Sequence, residues 1–222
     1  MLYMTTKELI QDFLKLQNAY SFTKRALVTA DRYTQIALKG LVDKKDYDNE
    51  ILREPLMEHI GHLPILAAYF HPHIEHSDKV DLGRALIMLS VHDIGETDTG
   101  EVFAYHKTKQ NNIDEYEAAL KVLHPSLHPY INEYETNETF DAKYAKSIDV
   151  LAPNIHEVDM PKVTMERFAL LNASTQNVID KKRKYMEWDS VMLEAFDLLM
   201  SQYQTIESGG KPIFEPEPYD KI

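Results

Sequence analysis

The chain has 222 residues, of which 44% are apolar and 27% charged, a balance that suits one globular domain with a buried core. A net charge of −12 argues against a nucleic-acid-coating or anionic-membrane surface, so an anionic substrate would have to meet a local cation. The absence of cysteine excludes disulfides, thiolate metal sites and cysteine nucleophiles. The first residues lack the charged-then-apolar pattern of a signal peptide, and the longest apolar stretches, His62 to Phe70 and Ala85 to Val91, are too short to span a bilayer. A cytoplasmic protein is the expectation.

Few glycines and many apolar residues spaced three and four apart predict an all-α fold. A first helix is expected from about Thr6 to Leu16, capped by Thr5 or Thr6, and a second from about Asp31 to Leu41. The charged stretch Asp43 to Asp46 reads as a loop. Pro55 suits the first turn of a helix carrying Leu56, His59, Ile60, Leu63, Leu66, Ala67 and Phe70, with Pro64 as a kink point. His71-Pro72-His73 breaks that segment. Ser77 or Asp78 is expected to cap the next helix, where Leu82, Ala85, Leu86 and Leu89 recur at helical spacing up to His92.

Downstream, Asn112 or Asp114 begins a helix to about Leu123, and Pro125 and Pro129 bracket a short turn. Thr139 opens a helix with Phe140, Tyr144, Ala145, Ile148 and Leu151 on one face and Asp149 at its edge. Two long segments follow, about Lys162 to Tyr185 and Glu187 to Tyr203. The apolar stripe of the second, from Trp188 to Tyr203, suits a core or a dimer interface. Residues 1–207 are read as one domain and 208–222 as a loose tail.

The densest chemistry lies in His92-Asp93-Ile94-Gly95-Glu96-Thr97-Asp98-Thr99-Gly100-Glu101. Consecutive imidazole and carboxylate groups at a helix end can share a divalent cation, and Glu96, three residues after Asp93, returns to the same side. The same pair also suits a plain helix cap. A calcium loop is excluded, since an EF-hand starting at Asp93 would need Gly at its sixth and Glu at its twelfth position, where Asp98 and Ala104 stand. His59 on the preceding helix and Asp149 on a later one would complete a set of two imidazoles and two carboxylates if the helices cross. Such a set neutralises a divalent ion and leaves water positions open. Mixed nitrogen and oxygen ligation suits Mn²⁺, Co²⁺, Fe²⁺ or Mg²⁺. A second ion would draw on His106, His124 or His128, which also read as surface or loop histidines.

The order His59, His92-Asp93, Asp149 resembles the HD-domain metal-dependent phosphohydrolase superfamily. Glu58-His59, Val91-His92-Asp93-Ile94-Gly95-Glu96, Gly100-Glu101, Tyr116-Glu117-Ala118-Ala119, Asn132-Glu133-Tyr134-Glu135 and Ala145-Lys146-Ser147-Ile148-Asp149 are similar to the successive motifs of its 5′-deoxyribonucleotidase branch over about residues 50 to 155. The resemblance implies a compact helical bundle with additional C-terminal helices, often homodimeric. It implies one divalent metal ion held by His59, His92, Asp93 and Asp149, and Glu96 as acid–base residue beside Asp93. The implied reaction is release of phosphate from deoxynucleoside 5′-monophosphates by metal-activated water, with a small phosphate ester as the partner molecule.

Substrate contacts are implied for Arg53, at the phosphate, and Glu101, at the sugar. Three departures stand out: Glu101 replaces the usual Asp, Arg53 lies about one residue nearer the first His than usual, with Arg84 as the alternative, and Val150 follows Asp149 where Lys is frequent. An HD-type phosphodiesterase or pyrophosphohydrolase, or a non-catalytic helical dimer with a structural metal, are the competing readings.

Overall fold

The computed structural model describes residues 5–11, 14, 56–99, 102, 107–158, 165, 168 and 172–214. Among them the regular structure is all helix: α1 (Leu56–Phe70), α2 (Leu82–Val91), α3 (Glu96–Thr99), α4 (Lys109–Val122), α5 (His128–Thr136), α6 (Phe140–Glu157), α7 (Thr175–Lys182) and α8 (Ser190–Glu207), with short 3₁₀ turns between several of them. The expected all-α class is what forms. The second predicted helix, the 43–46 loop, Arg53, Glu101 and His106 lie outside the described residues.

Helix α6 is the hub, because its apolar positions repeat around more than one side. Tyr144, Ala145, Ile148, Leu151, Ala152 and Ile155 are all fully buried, against α1 and α2 on one side and α8 on the other. The Tyr144 hydroxyl donates to the Ala67 carbonyl and so ties α6 to α1. On the far side the Tyr203 hydroxyl donates to the Asn154 carbonyl at 2.8 Å. Met192, Ala195, Phe196, Leu199 and Tyr203 of α8 are buried, so the stripe foreseen as core or interface is core. Pro64 does not interrupt α1, which stays helical to Phe70.

Start signals differ from the sequence expectations in instructive ways. Ser77 and Asp78 are used up in a 3₁₀ turn, and α2 is capped by Asp81, whose side chain accepts the Arg84 N–H. Helix α4 begins at Lys109 rather than Asn112, because Thr108 and Asn111 form a reciprocal capping box. The short turn expected between Pro125 and Pro129 forms as a 3₁₀ turn over Pro125–Leu127, and an unforeseen helix follows it over 128–136: Pro129 occupies the first turn, where its missing N–H costs nothing. The long helix foreseen over 162–185 is broken, since Asn172 takes a left-handed φ of 50° and Ser174 starts α7 with a second capping box. The tail is not loose from Ser208. Phe214 is fully buried, and the Gln202 side chain accepts the Ile213 N–H at 2.5 Å, which anchors the chain to this point.

Two helix packings position the His-Asp turn. Helix α2 lies between α1, α5 and α6, so its C-terminal end points into the bundle. The turn 92–95 then leads into α3, which packs on α4. Gly95 permits that approach: a Cβ there would sit 2.1 Å from the Glu115 carbonyl oxygen and 2.8 Å from its carbon. Both are backbone atoms that cannot swing aside. Gly95→Ala is therefore expected to push the turn off α4 and to lower stability by about 1–3 kcal/mol in urea denaturation. An unchanged midpoint would contradict this close contact.

Candidate metal centre

Each residue of the site is delivered by a different helix end or face. His59 sits in the first half of α1, His92 and Asp93 follow the last turn of α2, and Asp149 lies midway along α6. One ligand-type atom from each of the four lies within 4.8 Å of the others. The His92 Nε2 is 3.1 Å from Asp93 Oδ2 and 3.3 Å from Asp149 Oδ1, and the His59 Nε2 is 3.5 Å from both carboxylates. Residues separated by ninety positions thus share one small volume, as the crossing of α1, α2 and α6 requires.

The surrounding bonds orient these atoms. The His92 Nδ1–H donates to the Leu89 carbonyl at 2.9 Å, which turns Nε2 toward the carboxylates. The Tyr134 hydroxyl donates to Asp149 Oδ2 at 2.8 Å, leaving Oδ1 facing the two imidazoles. Lys146 Nζ in turn donates to the Tyr134 oxygen at 2.9 Å and lies 3.5 Å from Asp149 Oδ2. Behind His59, His62 meets it edge-on at 5.8 Å and stacks on His156 at 5.4 Å, so the first imidazole is backed by ring surfaces.

Electrostatics follow from this crowding. Burial works against a charged His92 ring, but Asp93 and Asp149 outweigh it and push its pKa up to about 10. Burial likewise opposes the charge on Asp149, yet His92, Lys146 and the histidine hydrogen bonds hold it well below the usual carboxylate range. Asp93 is lowered for the same reason, against the same burial. Burial, reinforced by Asp149 and Asp93, raises the Tyr134 phenol well above its ordinary value, so it remains a donor.

Two imidazoles and two ionised carboxylates fit a divalent cation: the donors are borderline nitrogen and hard oxygen, their charges balance the ion, and outer bonds already orient two of the four, His92 and Asp149. A cation at His92 Nε2 would displace the proton held there, so binding is expected to release protons. The sign is fixed by the raised value. His92 pairing stabilises metal-stripped protein fully below about pH 6.5, its unfolded value, and is lost as pH rises through about 10, while metal affinity gains over the same window. Calorimetric metal titration at pH 7 in two buffers of different ionisation enthalpy should show about one proton or more released per ion. A value of zero would contradict the protonated His92.

Glu96 follows at the start of α3, its side chain 13% exposed and 3.6 Å from Lys107 Nζ. Lys107 also pairs with Glu115 of α4 at 2.5 Å, and its charge is felt at Asp93. One ammonium therefore bridges the turn and α4 beside the cluster. Other sequence candidates stand apart. Arg84 is paired with Glu133, lies 3.8 Å from Asp141 and sits over the Tyr130 ring. His124 caps a 3₁₀ turn through the Ser126 N–H, and His128 donates to the Leu123 carbonyl. Tyr134 and Lys146 stand inside the motifs quoted above, and Lys107 carries no sequence signal beyond its charge.

The helices thus gather a His-Asp helix end, a second His and a second Asp into one group that could hold a metal ion. The HD domain family model matches residues 45–191, past the point near 155 where the ordered motifs end. The chain belongs to the HD domain family. Among solved structures it is similar to a predicted metal-dependent phosphohydrolase from Magnetospirillum magnetotacticum MS-1, at 24% identity and a TM-score of 0.58, with 71% of this chain and 82% of that one covered. That likeness is one of fold. No curated protein matches the chain. No helix among the described residues is long and apolar enough to cross a membrane.

Proposed function

We propose that the protein is a metal-dependent phosphohydrolase that releases phosphate from nucleoside 5′-monophosphates, deoxyribonucleotides in particular. The observation that carries this reading is the convergence of His59, His92, Asp93 and Asp149 within 4.8 Å. Membership of the HD domain family and the fold shared with a predicted metal-dependent phosphohydrolase support the hydrolase class. The ordered motifs from Glu58 to Asp149 support the nucleotidase branch.

His59, His92, Asp93 and Asp149 would hold one divalent cation. Such an ion supplies positive charge to the phosphoryl oxygens and lowers the pKa of water. The protein supplies the remainder. Tyr134 and Leu89 keep Asp149 and His92 in place, so the reacting geometry needs little reorganisation. Glu96 is assigned as the acid–base residue, either accepting a proton from the attacking water or delivering one to the leaving 5′-oxygen. Lys107 restrains the Glu96 carboxylate from one side. Arg53 and Glu101 are assigned to phosphate and sugar by the motif resemblance alone, and the longer Glu101 carboxylate bears on sugar choice.

The test is phosphate release from a panel of ribo- and deoxyribonucleoside 5′-monophosphates, with cyclic and diphosphate esters as controls. Turnover confined to 5′-monophosphates supports the reading. Turnover of only a cyclic or diphosphate substrate replaces it with a phosphodiesterase or pyrophosphohydrolase.

A further inference from the structure

The two oxygens of Asp149 face different surroundings. Oδ1 lies 3.3 Å from His92 Nε2 and 3.5 Å from His59 Nε2, inside the cluster. Oδ2 accepts the Tyr134 hydroxyl at 2.8 Å and lies 3.5 Å from Lys146 Nζ. Lys146 Nζ also donates to the Tyr134 oxygen at 2.9 Å. An ammonium can only donate, so the phenol oxygen accepts from Lys146 and its single proton is left for Asp149. The chain from Lys146 through Tyr134 to Asp149 therefore runs in one direction.

Two packed helices set this arrangement. Tyr134 lies on α5 and Lys146 on α6, three residues before Asp149 and so on the same side of that helix. The Tyr134 ring is 2% exposed, its centroid 5.1 Å from that of His92, and Lys146 Nζ lies 4.3 Å from it. Packing as well as hydrogen bonding thus fixes the phenol. A phenylalanine ring would fill the same space, so what the hydroxyl adds is the bond to Asp149.

That bond has a consequence for the choice of ion. With Oδ2 engaged by Tyr134, Asp149 presents one oxygen to the cluster. Asp93 also turns one oxygen, Oδ2, toward both imidazoles, at 3.1 and 3.5 Å. Calcium takes about six to eight ligands and draws readily on both oxygens of a carboxylate, whereas smaller ions such as Mn²⁺ and Mg²⁺ suit octahedral sites with single-oxygen carboxylates and water. We propose that Tyr134, its donor direction set by Lys146, is a positioning residue that holds Asp149 to ligation through one oxygen and so selects small octahedral ions over calcium. The proposal rests on the metal-centre reading of the cluster and not on the identity of the substrate.

The test is calorimetric titration of Mn²⁺ into the metal-stripped full chain, followed by displacement of the bound Mn²⁺ with Ca²⁺. Wild type is compared with Tyr134→Phe and with the double variant Tyr134→Phe/Lys146→Met, in which neither donor remains on Oδ2. Circular dichroism checks the fold of each. Both ions carry the same charge, so loss of the Lys146 charge shifts both affinities alike and cancels in their ratio. The preference for Mn²⁺ over Ca²⁺ should fall in both variants, by about tenfold or more in the double variant, the scale on which groups that orient metal ligands act. A preference within about twofold of wild type in the double variant overturns the proposal, as does calcium that displaces Mn²⁺ from neither protein. Should the double variant fail to fold, an unchanged preference in Tyr134→Phe overturns it equally. A wild type that binds no Mn²⁺ overturns the metal-centre reading and the proposal with it.

Discussion

His92→Ala is expected to abolish both metal binding and phosphate release. The substitution removes the nitrogen that lies 3.1 Å from Asp93 and 3.3 Å from Asp149, the central atom of the four-residue set. Losing the cation removes the positive charge on the phosphoryl group and the acidified water together, several kcal/mol of transition-state stabilisation. That corresponds to a fall of about a thousandfold or more in kcat/KM. Asp93→Ala should behave alike. Because His92 is buried, its removal also leaves two carboxylates without their imidazole partner, which costs a few kcal/mol in metal-stripped protein. His92→Gln, which keeps a polar side chain at the position, separates loss of ligand from loss of fold. Elemental analysis of the purified variants, alongside circular dichroism and phosphate release, reads all three effects. Full metal occupancy in His92→Gln would remove this residue from the ligand set.

Glu96→Ala should give the opposite pattern: metal retained, rate lost. Glu96 begins α3 one turn beyond Asp93 and is not among the four converging residues. Its removal leaves the imidazoles and both aspartates with their partners. General acid–base catalysis by a positioned carboxylate contributes about 10²–10⁴ in rate, so kcat should fall within that range while metal affinity changes little. One limb of the pH–rate profile should disappear with it. The variant also releases Lys107 from one of its two carboxylates, and Glu115 remains to hold it. Wild-type activity in Glu96→Ala would end the acid–base assignment.

The path from sequence to site was short where local signals and burial agreed. Leu82, Ala85, Leu86 and Leu89 mark a buried helix that has to end near His92, and the helix does end there at Val91. His59 and Asp149 stand among apolar positions of their helices, where a polar residue departs from the pattern. Less legible were features set by tertiary contact. Pro125 and Pro129 concealed α5, a helix whose first turn tolerates proline, and with it the approach of Tyr134 to Asp149. Lys107 carries no signal in sequence beyond its charge, since only the packing of α3 on α4 sets it between Glu96 and Glu115. The break at Asn172 was hidden because asparagine adopts a left-handed φ without the glycine that usually announces one. Gly95 shows the reverse case: its presence was plain, and its reason, the Glu115 carbonyl, is tertiary.

The most direct measurement is phosphate release from a deoxynucleoside 5′-monophosphate by metal-stripped protein, before and after stoichiometric Mn²⁺, with bound metal counted in the same samples. The account predicts no turnover in stripped protein, restoration on addition of the ion, and about one ion per chain, lost in His92→Gln. Metal-independent release of phosphate, or an ion that binds equally well without His92, would contradict it.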